Sequence, residues 1–214
     1  GWASAVLNLE KSEEELRAGL SGNWRKQLSK AERLGVSCAV SSSPESFDGF
    51  LESYEDFLRA RSICTSVTPR LLRELRLLLP EGRGMRLFEG RLGSECLGGL
   101  LVASFGESCL FLALAIRERG ETAHAGHVMH WNAIRVMKQL GFKRLDVGGL
   151  DPKCTPQGIL QFKRGLRASE YQLFPEIEAS NGGWVSRLVR WQVDRARRQP
   201  QVKQCDIAGG EHVV

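Results

Sequence analysis

Residues 126–149 read GHVMHWNAIRVMKQLGFKRLDVGG. This stretch predicts a helix from about Gly126 to Leu140, with Gly141 at the C′ position where a left-handed glycine closes helices. Phe142 to Val147 then reads as a strand, ended by the irregular segment Gly148-Gly149-Leu150-Asp151-Pro152. Upstream the texture differs. Met85 to Glu89, Cys96 to Ser104 and Cys109 to Ala115 are apolar runs parted by Gly-rich or charged turns, the pattern of consecutive antiparallel strands. Arg117 to Gly126 reads as the loop that joins these strands to the helix.

Farther out, Ala5 to Leu9 is a short strand, and Ser12 with Glu15 forms a capping box that starts a short helix. A second helix is expected from Asn23 to Leu34, stopping at Gly35. Its apolar stripe is Trp24, Leu28, Ala31 and Leu34, with Arg25, Lys26, Lys30 and Arg33 largely off it. Val36 to Val40 is a strand. Ser43-Pro44-Glu45 opens a helix with Phe47, Phe50, Leu51, Tyr54 and Leu58 at helical spacing, and Thr68-Pro69 opens another that runs to about Leu79. Tyr171 to Phe174 reads as a last strand, and Trp184 to Arg198 as a basic amphipathic helix. The expectation is one α/β (α+β) domain over residues 1–199, a mixed central sheet flanked by helices. A flexible tail, 200–214, follows it.

Composition limits the alternatives. The 42% hydrophobic and 26% charged content is that of an ordinary folded domain. No run approaches the roughly 20 apolar residues of a membrane span, and Gly1-Trp2-Ala3-Ser4 does not begin a secretory signal. Cys38, Cys64, Cys96, Cys109, Cys154 and Cys205 are scattered without a Cys-x-x-Cys pair, so the expectation is reduced thiols in a cytoplasmic protein. The net charge of +5 tilts toward a polyanionic partner. His124, His127 and His130 lack a nearby fourth ligand, so no metal is expected; by default they are polar surface residues, and a general-base role is the alternative.

The order of two or more helices, a three-stranded meander, a helix and a strand resembles the GCN5-related N-acetyltransferase (GNAT) fold. Trp131-Asn132-Ala133-Ile134, the run Gly141 to Gly149 and the run Gly158 to Gly165 together resemble the FemABX family of aminoacyl-tRNA-dependent transferases. Trp24 to Val36 looks like that family's basic helix. The Asp146-x-Gly148-Gly149 and Phe162-Lys163-x-Gly165 motifs carry the resemblance between them. Classical members hold two such subdomains and build peptidoglycan cross-bridges; this chain has room for one, which suits compact relatives acting on antibiotic peptides and other small acceptors.

The resemblance implies catalysis at Lys163, Phe162 and Asp146, with Lys163 stabilising an oxyanion and Phe162 walling the site. Substrate would meet Gly148, Gly149, Trp131 and His127. Asp146 either orients the incoming amine, takes its proton, or bonds the amides of the Gly148-Gly149 turn. Outside the motif, Lys163 would be a solvated loop lysine. The tRNA would lie on Arg25, Lys26, Lys30, Arg33, Arg164, Arg167, Arg187 and Arg190. Aminoacyl-tRNA serves as co-substrate, so no cofactor is expected, and the second partner is a peptide or peptide-like amine. The competing reading is transfer from acetyl-CoA or another acyl-CoA. It is disfavoured because Arg117 to Gly126 lacks the glycine spacing of a pyrophosphate loop and carries Glu118 and Glu121. A third reading is a non-catalytic module that binds RNA or protein.

Overall fold

The structure, a computed structural model, describes residues 3–63, 65–79, 84–150, 152, 155–173 and 191. The chain divides into two compact units, residues 1–173 and 174–214, and the fold described is that of the first. Apart from Trp191, the expected terminal helix with Arg187 and Arg190 lies outside the described residues, as do the 200–214 tail and Asp151.

The element order is β1 (Ala3–Asn8), α1 (Glu13–Gly19), α2 (Gly22–Arg33), β2 (Val36–Ser41), α3 (Pro44–Ala60), α4 (Pro69–Leu78) and β3 (Met85–Leu92). There follow β4 (Glu95–Phe105), β5 (Ser108–Ile116), α5 (Glu118–Thr122), α6 (Ala125–Gln139), β6 (Arg144–Asp146), α7 (Gln157–Arg164) and β7 (Ser169–Gln172). Seven strands form one sheet in the order β2-β3-β4-β5-β6-β1-β7. Neighbours are antiparallel except β5 and β6, which run parallel. The expected mixed α/β architecture is present.

Local chemistry sets the boundaries. Ser12 accepts from the Glu15 amide while Glu15 accepts from the Ser12 amide, the reciprocal capping box that starts α1. Pro44 and Pro69 occupy the first turns of α3 and α4, behind the caps Ser43 and Thr68. Gly141, at φ +87°, reverses the chain after α6.

Several expectations need correction. Leu34 leaves the stripe of α2: the helix ends at Arg33, Gly35 turns away at φ +81°, and Leu34 is 51% exposed. Phe142 and Lys143 belong to a turn rather than to β6, since the Lys143 and Arg144 amides both reach the Glu107 carbonyl. The last strand starts at Ser169, two residues early, because β1 supplies partners for Ser169 to Gln172. The supposed loop before α6 contains α5, where Gly120 packs so closely on the Leu97 carbonyl that no Cβ would fit.

Two apolar cores cover the two faces of the sheet. One gathers Leu16, Trp24, Leu28, Met129, Ile134, Met137 and Leu160 beneath α1, α2, α6 and α7. The other gathers Phe47, Phe50, Leu51, Tyr54 and Leu72 beneath α3 and α4. Strand β5 feeds both. Leu101 faces Ala113 while Val102 faces Phe111, so Leu112 is an extra residue, a β-bulge. Before the bulge, Cys109 and Phe111 point into the first core; after it, Ala113 and Ala115 point into the second.

Candidate active site

The sheet opens where β5 and β6 part. They pair only from Ser108–Arg144 to Leu110–Asp146; β6 then stops while β5 continues to Ile116. Gly148 stands at this opening with φ +78°, a conformation that side-chain-bearing residues adopt at a cost. A Cβ there would lie 3.1 Å from Lys163 Nζ and 3.5 Å from the Phe111 carbonyl oxygen.

Lys163 is not a loop lysine. It lies on the last turn of α7, and its ammonium donates to the Gly149 carbonyl at 3.0 Å. Burial depresses its pKa, and the Asp146 charge works in the opposite direction. Asp146 ends β6. Its Oδ1 accepts from Ser4 Oγ at 2.5 Å and from the Gly148 amide at 2.7 Å, and its Oδ2 accepts from Tyr171 Oη at 2.6 Å. The carboxylate therefore pins the glycine turn to β1 and β7. In return it raises the pKa of the Tyr171 phenol, chiefly by accepting that hydrogen bond. Ser4 and Tyr171 escaped the sequence reading. Ser4 is a buried hydroxyl in an apolar strand, the one local sign that it has a partner.

Phe162, beside Lys163 in sequence, packs inward. Its ring lies 4.8 Å from His130, 4.9 Å from His127 and 5.6 Å from Trp24. His130 meets Phe111 edge-on at 4.6 Å, which brings the cluster to the strand opening. The histidines are thus packed rather than surface residues, correcting the default reading. The His130 Nδ1 lies 2.7 Å from the Gly126 carbonyl, an acceptor only, so the neutral ring carries its proton on Nδ1 and keeps the Nε2 lone pair. Burial holds the pKa of His130 down at about 3 and that of His127 at about 4. His124 is the N-cap of α6 in the left-handed conformation, φ 56°, and its pKa falls through burial and then the charge of Lys30. Among the described residues, Trp24 Nε1 and His124 Nε2 are buried without a hydrogen-bond partner.

A pH dependence follows. His127 and His130 have folded pKa values below the ordinary 6.5, so the folded state binds fewer protons than the unfolded one. Their contribution to stability is complete above pH 6.5 and is lost as pH falls toward about 4 and then 3. The expected result is a Tm that drops across this window, with a flatter profile for a His127→Gln/His130→Gln variant. Equal slopes for the two proteins would refute it.

The remaining candidates separate. Trp131 lines a cleft to which Lys163 does not contribute. It lies under Arg17, 5.7 Å from the guanidinium to the ring, in a cleft shared with Glu13, Glu32 and Arg135. Arg25 donates to the carbonyls of Ala18 and Leu20, closing the end of α1. Lys26, Lys30 and Arg33 are exposed along α2. Arg164 pairs with Glu170 at 3.3 Å, and Arg167 follows α7 at φ +55°.

Comparison with known proteins sets this geometry in context. No curated protein is significantly similar in sequence. Among solved structures, FemX superposes with a TM-score of 0.67 at 14% identity, over 78% of this chain and 59% of its own. The C-terminal domain of a putative lysylphosphatidylglycerol synthetase from Agrobacterium fabrum gives 0.59 at 11% identity, over 79% and 57%. L-PGS from Bacillus licheniformis gives 0.52 at 10%, over 79% and 58%. The chain therefore spans between 57% and 59% of these structures, and at such identities the likeness is one of fold. A family model described as an acetyltransferase (GNAT) domain matches residues 20–164, from the approach to α2 through the lysine of α7. That match covers more than half of the sequence, and the chain belongs to the GNAT acetyltransferase-domain family.

Proposed function

We propose that the protein transfers an aminoacyl group from aminoacyl-tRNA to the amine of a peptide or peptide-like acceptor. The observation that carries this reading is the partly buried Lys163 ammonium, held by the Gly149 carbonyl at the opening between β5 and β6. An aminoacyl-tRNA ester is already activated, so the enzyme has to align two substrates and stabilise one oxyanion. The acceptor nitrogen attacks the ester carbonyl, the carbon–oxygen bond to the tRNA ribose breaks, and the amine proton ends on the ribose oxygen. A lysine ammonium has three donors. Gly149 engages one, and in this reading another meets the oxyanion. Asp146, satisfied by three donors, acts by fixing the turn and holding charge near Lys163. Lys26, Lys30 and Arg33 on α2 would meet tRNA phosphates, and no cofactor is needed.

The family description favours a second reading, transfer from acetyl-CoA. Against it stands the segment before α6, which is a short helix whose Glu121 is paired with Arg61 rather than an open phosphate loop. The two separate in one experiment. Incubation with labelled aminoacyl-tRNAs and a panel of peptide amines is expected to move label into a base-stable amide. Failure of every charged tRNA to donate, with acetyl-CoA raising the Tm and acetylating the same amines, would replace the first reading by the second.

A further inference from the structure

The end of the sheet where β4 turns into β5 carries an unusual set of side chains. Leu77 and Leu78, at the end of α4, are 86% and 80% exposed, the highest values among the large hydrophobic residues described. Phe105, at the β4–β5 turn, is 58% exposed, and Leu140, capping α6, is 50% exposed. These residues come from three separate connections, and the backbone ties them to one place. The Ser104 amide donates to the Gly84 carbonyl at 2.8 Å, and Leu79 fills the space beside Gly84, which joins the end of α4 to the β4 terminus. The Lys143 amide donates to the Glu107 carbonyl at 2.9 Å, which joins the α6–β6 turn to the β4–β5 turn. Because α4 and α6 lie on opposite faces, the apolar tips straddle the sheet.

Cations surround them. Lys143 is exposed on the α6–β6 turn, Arg144 is exposed at the start of β6, and Arg73 is exposed on α4 one turn before Leu77. Glu107 offsets one of the three through its 2.6 Å ion pair with Lys143. Isolated exposed leucines need no explanation, but four large apolar residues on three turns at one end do. They sit at the ends of separate elements on both sides of the sheet rather than along one helix face or one strand edge, the surfaces on which a peptide or protein partner commonly docks. Projecting apolar tips ringed by cations match a bilayer surface, where each tip enters the headgroup boundary alone and the cations meet lipid phosphates.

We propose that this end of the molecule docks the protein peripherally on an anionic lipid surface, with Leu77, Leu78 and Phe105 inserted and Lys143, Arg144 and Arg73 at headgroup level. No described helix is long and apolar enough to cross a membrane.

The test is co-sedimentation of the full chain with vesicles of phosphatidylcholine alone or mixed with phosphatidylglycerol, in low and high salt. Binding is expected to the mixed vesicles, weaker by about tenfold or more without the anionic lipid. A Leu77→Gln/Leu78→Gln/Phe105→Gln variant, confirmed as folded by its Tm, is expected to lose about tenfold or more of that binding. A Lys143→Ser/Arg144→Ser variant should keep a weaker, less salt-sensitive interaction. Absence of wild-type binding overturns the proposal. So does full binding by the triple variant, which would assign the attraction to basic residues elsewhere. A wild-type oligomer that the triple variant dissolves, with no vesicle binding, would make the tip a protein interface instead.

Discussion

Lys163→Met is expected to lower aminoacyl transfer about 100-fold while leaving tRNA affinity within roughly a factor of two. A methionine matches the length and apolar stem of lysine, so α7 keeps its packing and only the cation is removed. The effect should fall on kcat, because the ammonium is proposed to gain a strong partner only when charge develops on the reacting carbonyl. Stability supplies an independent readout. Burial already disfavours the charged form of Lys163, so removing the charge should leave the Tm unchanged or raise it. The pH profile supplies another. A depressed lysine pKa means the wild-type rate declines on the alkaline side at lower pH than the ordinary 10.5 would suggest. Rapid-quench single turnovers with bound aminoacyl-tRNA decide the matter. If affinity collapses and the single-turnover rate does not, Lys163 grips phosphate rather than the oxyanion.

Trp24→Ala should be the most destabilising single change near the site, about 3–5 kcal/mol for a large aromatic emptied from a core. Trp24 is 2% exposed. It meets His127 at 4.8 Å and Phe162 at 5.6 Å, and Gly165 passes so close to its ring that a Cβ there would sit 2.6 Å from Trp24 Cδ1. The Ser21 amide, which donates to the Gly165 carbonyl at 2.8 Å, ties the start of α2 to the end of α7 beside it. Trp24 is therefore the packing contact through which α2 positions the helix that carries Lys163. Trp24→Phe should recover much of the loss, since it keeps a ring in the cluster and deletes an indole N–H that has no partner among the described residues. Urea unfolding measures both variants. A loss below about 1 kcal/mol for Trp24→Ala would show that the cluster closes around the gap.

What could be read in advance was what nearby residues decide. The capping box at Ser12, the proline starts of α3 and α4, the three-stranded meander and the C′ glycine at position 141 each depend on a few neighbours, and each stands where expected. The Asp146-x-Gly148-Gly149 turn and the Phe162-Lys163 pair were visible as motifs, and the fold brings them together at one opening. The partners of Asp146 were not visible, because Ser4 lies 142 positions away and Tyr171 sits on the strand beyond β1. His127 and His130 illustrate the same limit. A histidine three residues from another on a helix carries no local mark of burial, and its fate was set by where α2 and α7 arrive. Arg25 shows that a positive charge on an exposed helix can be spent on neighbouring carbonyls.

The extra residue in β5 has an evolutionary consequence. Leu112 makes the odd positions of one strand serve opposite faces, so the strand counts differently before and after it. Deleting any single residue other than Leu112 between Cys109 and Ala115 would send the wrong residues into one core or the other, whereas losing Leu112 itself would restore plain alternation and leave its neighbours on their faces. Insertions and deletions in descendants of this sequence should therefore spare the rest of β5 and collect in the turns at Gly93 and Gly106, where a Cβ meets open space and length can drift without reversing a face.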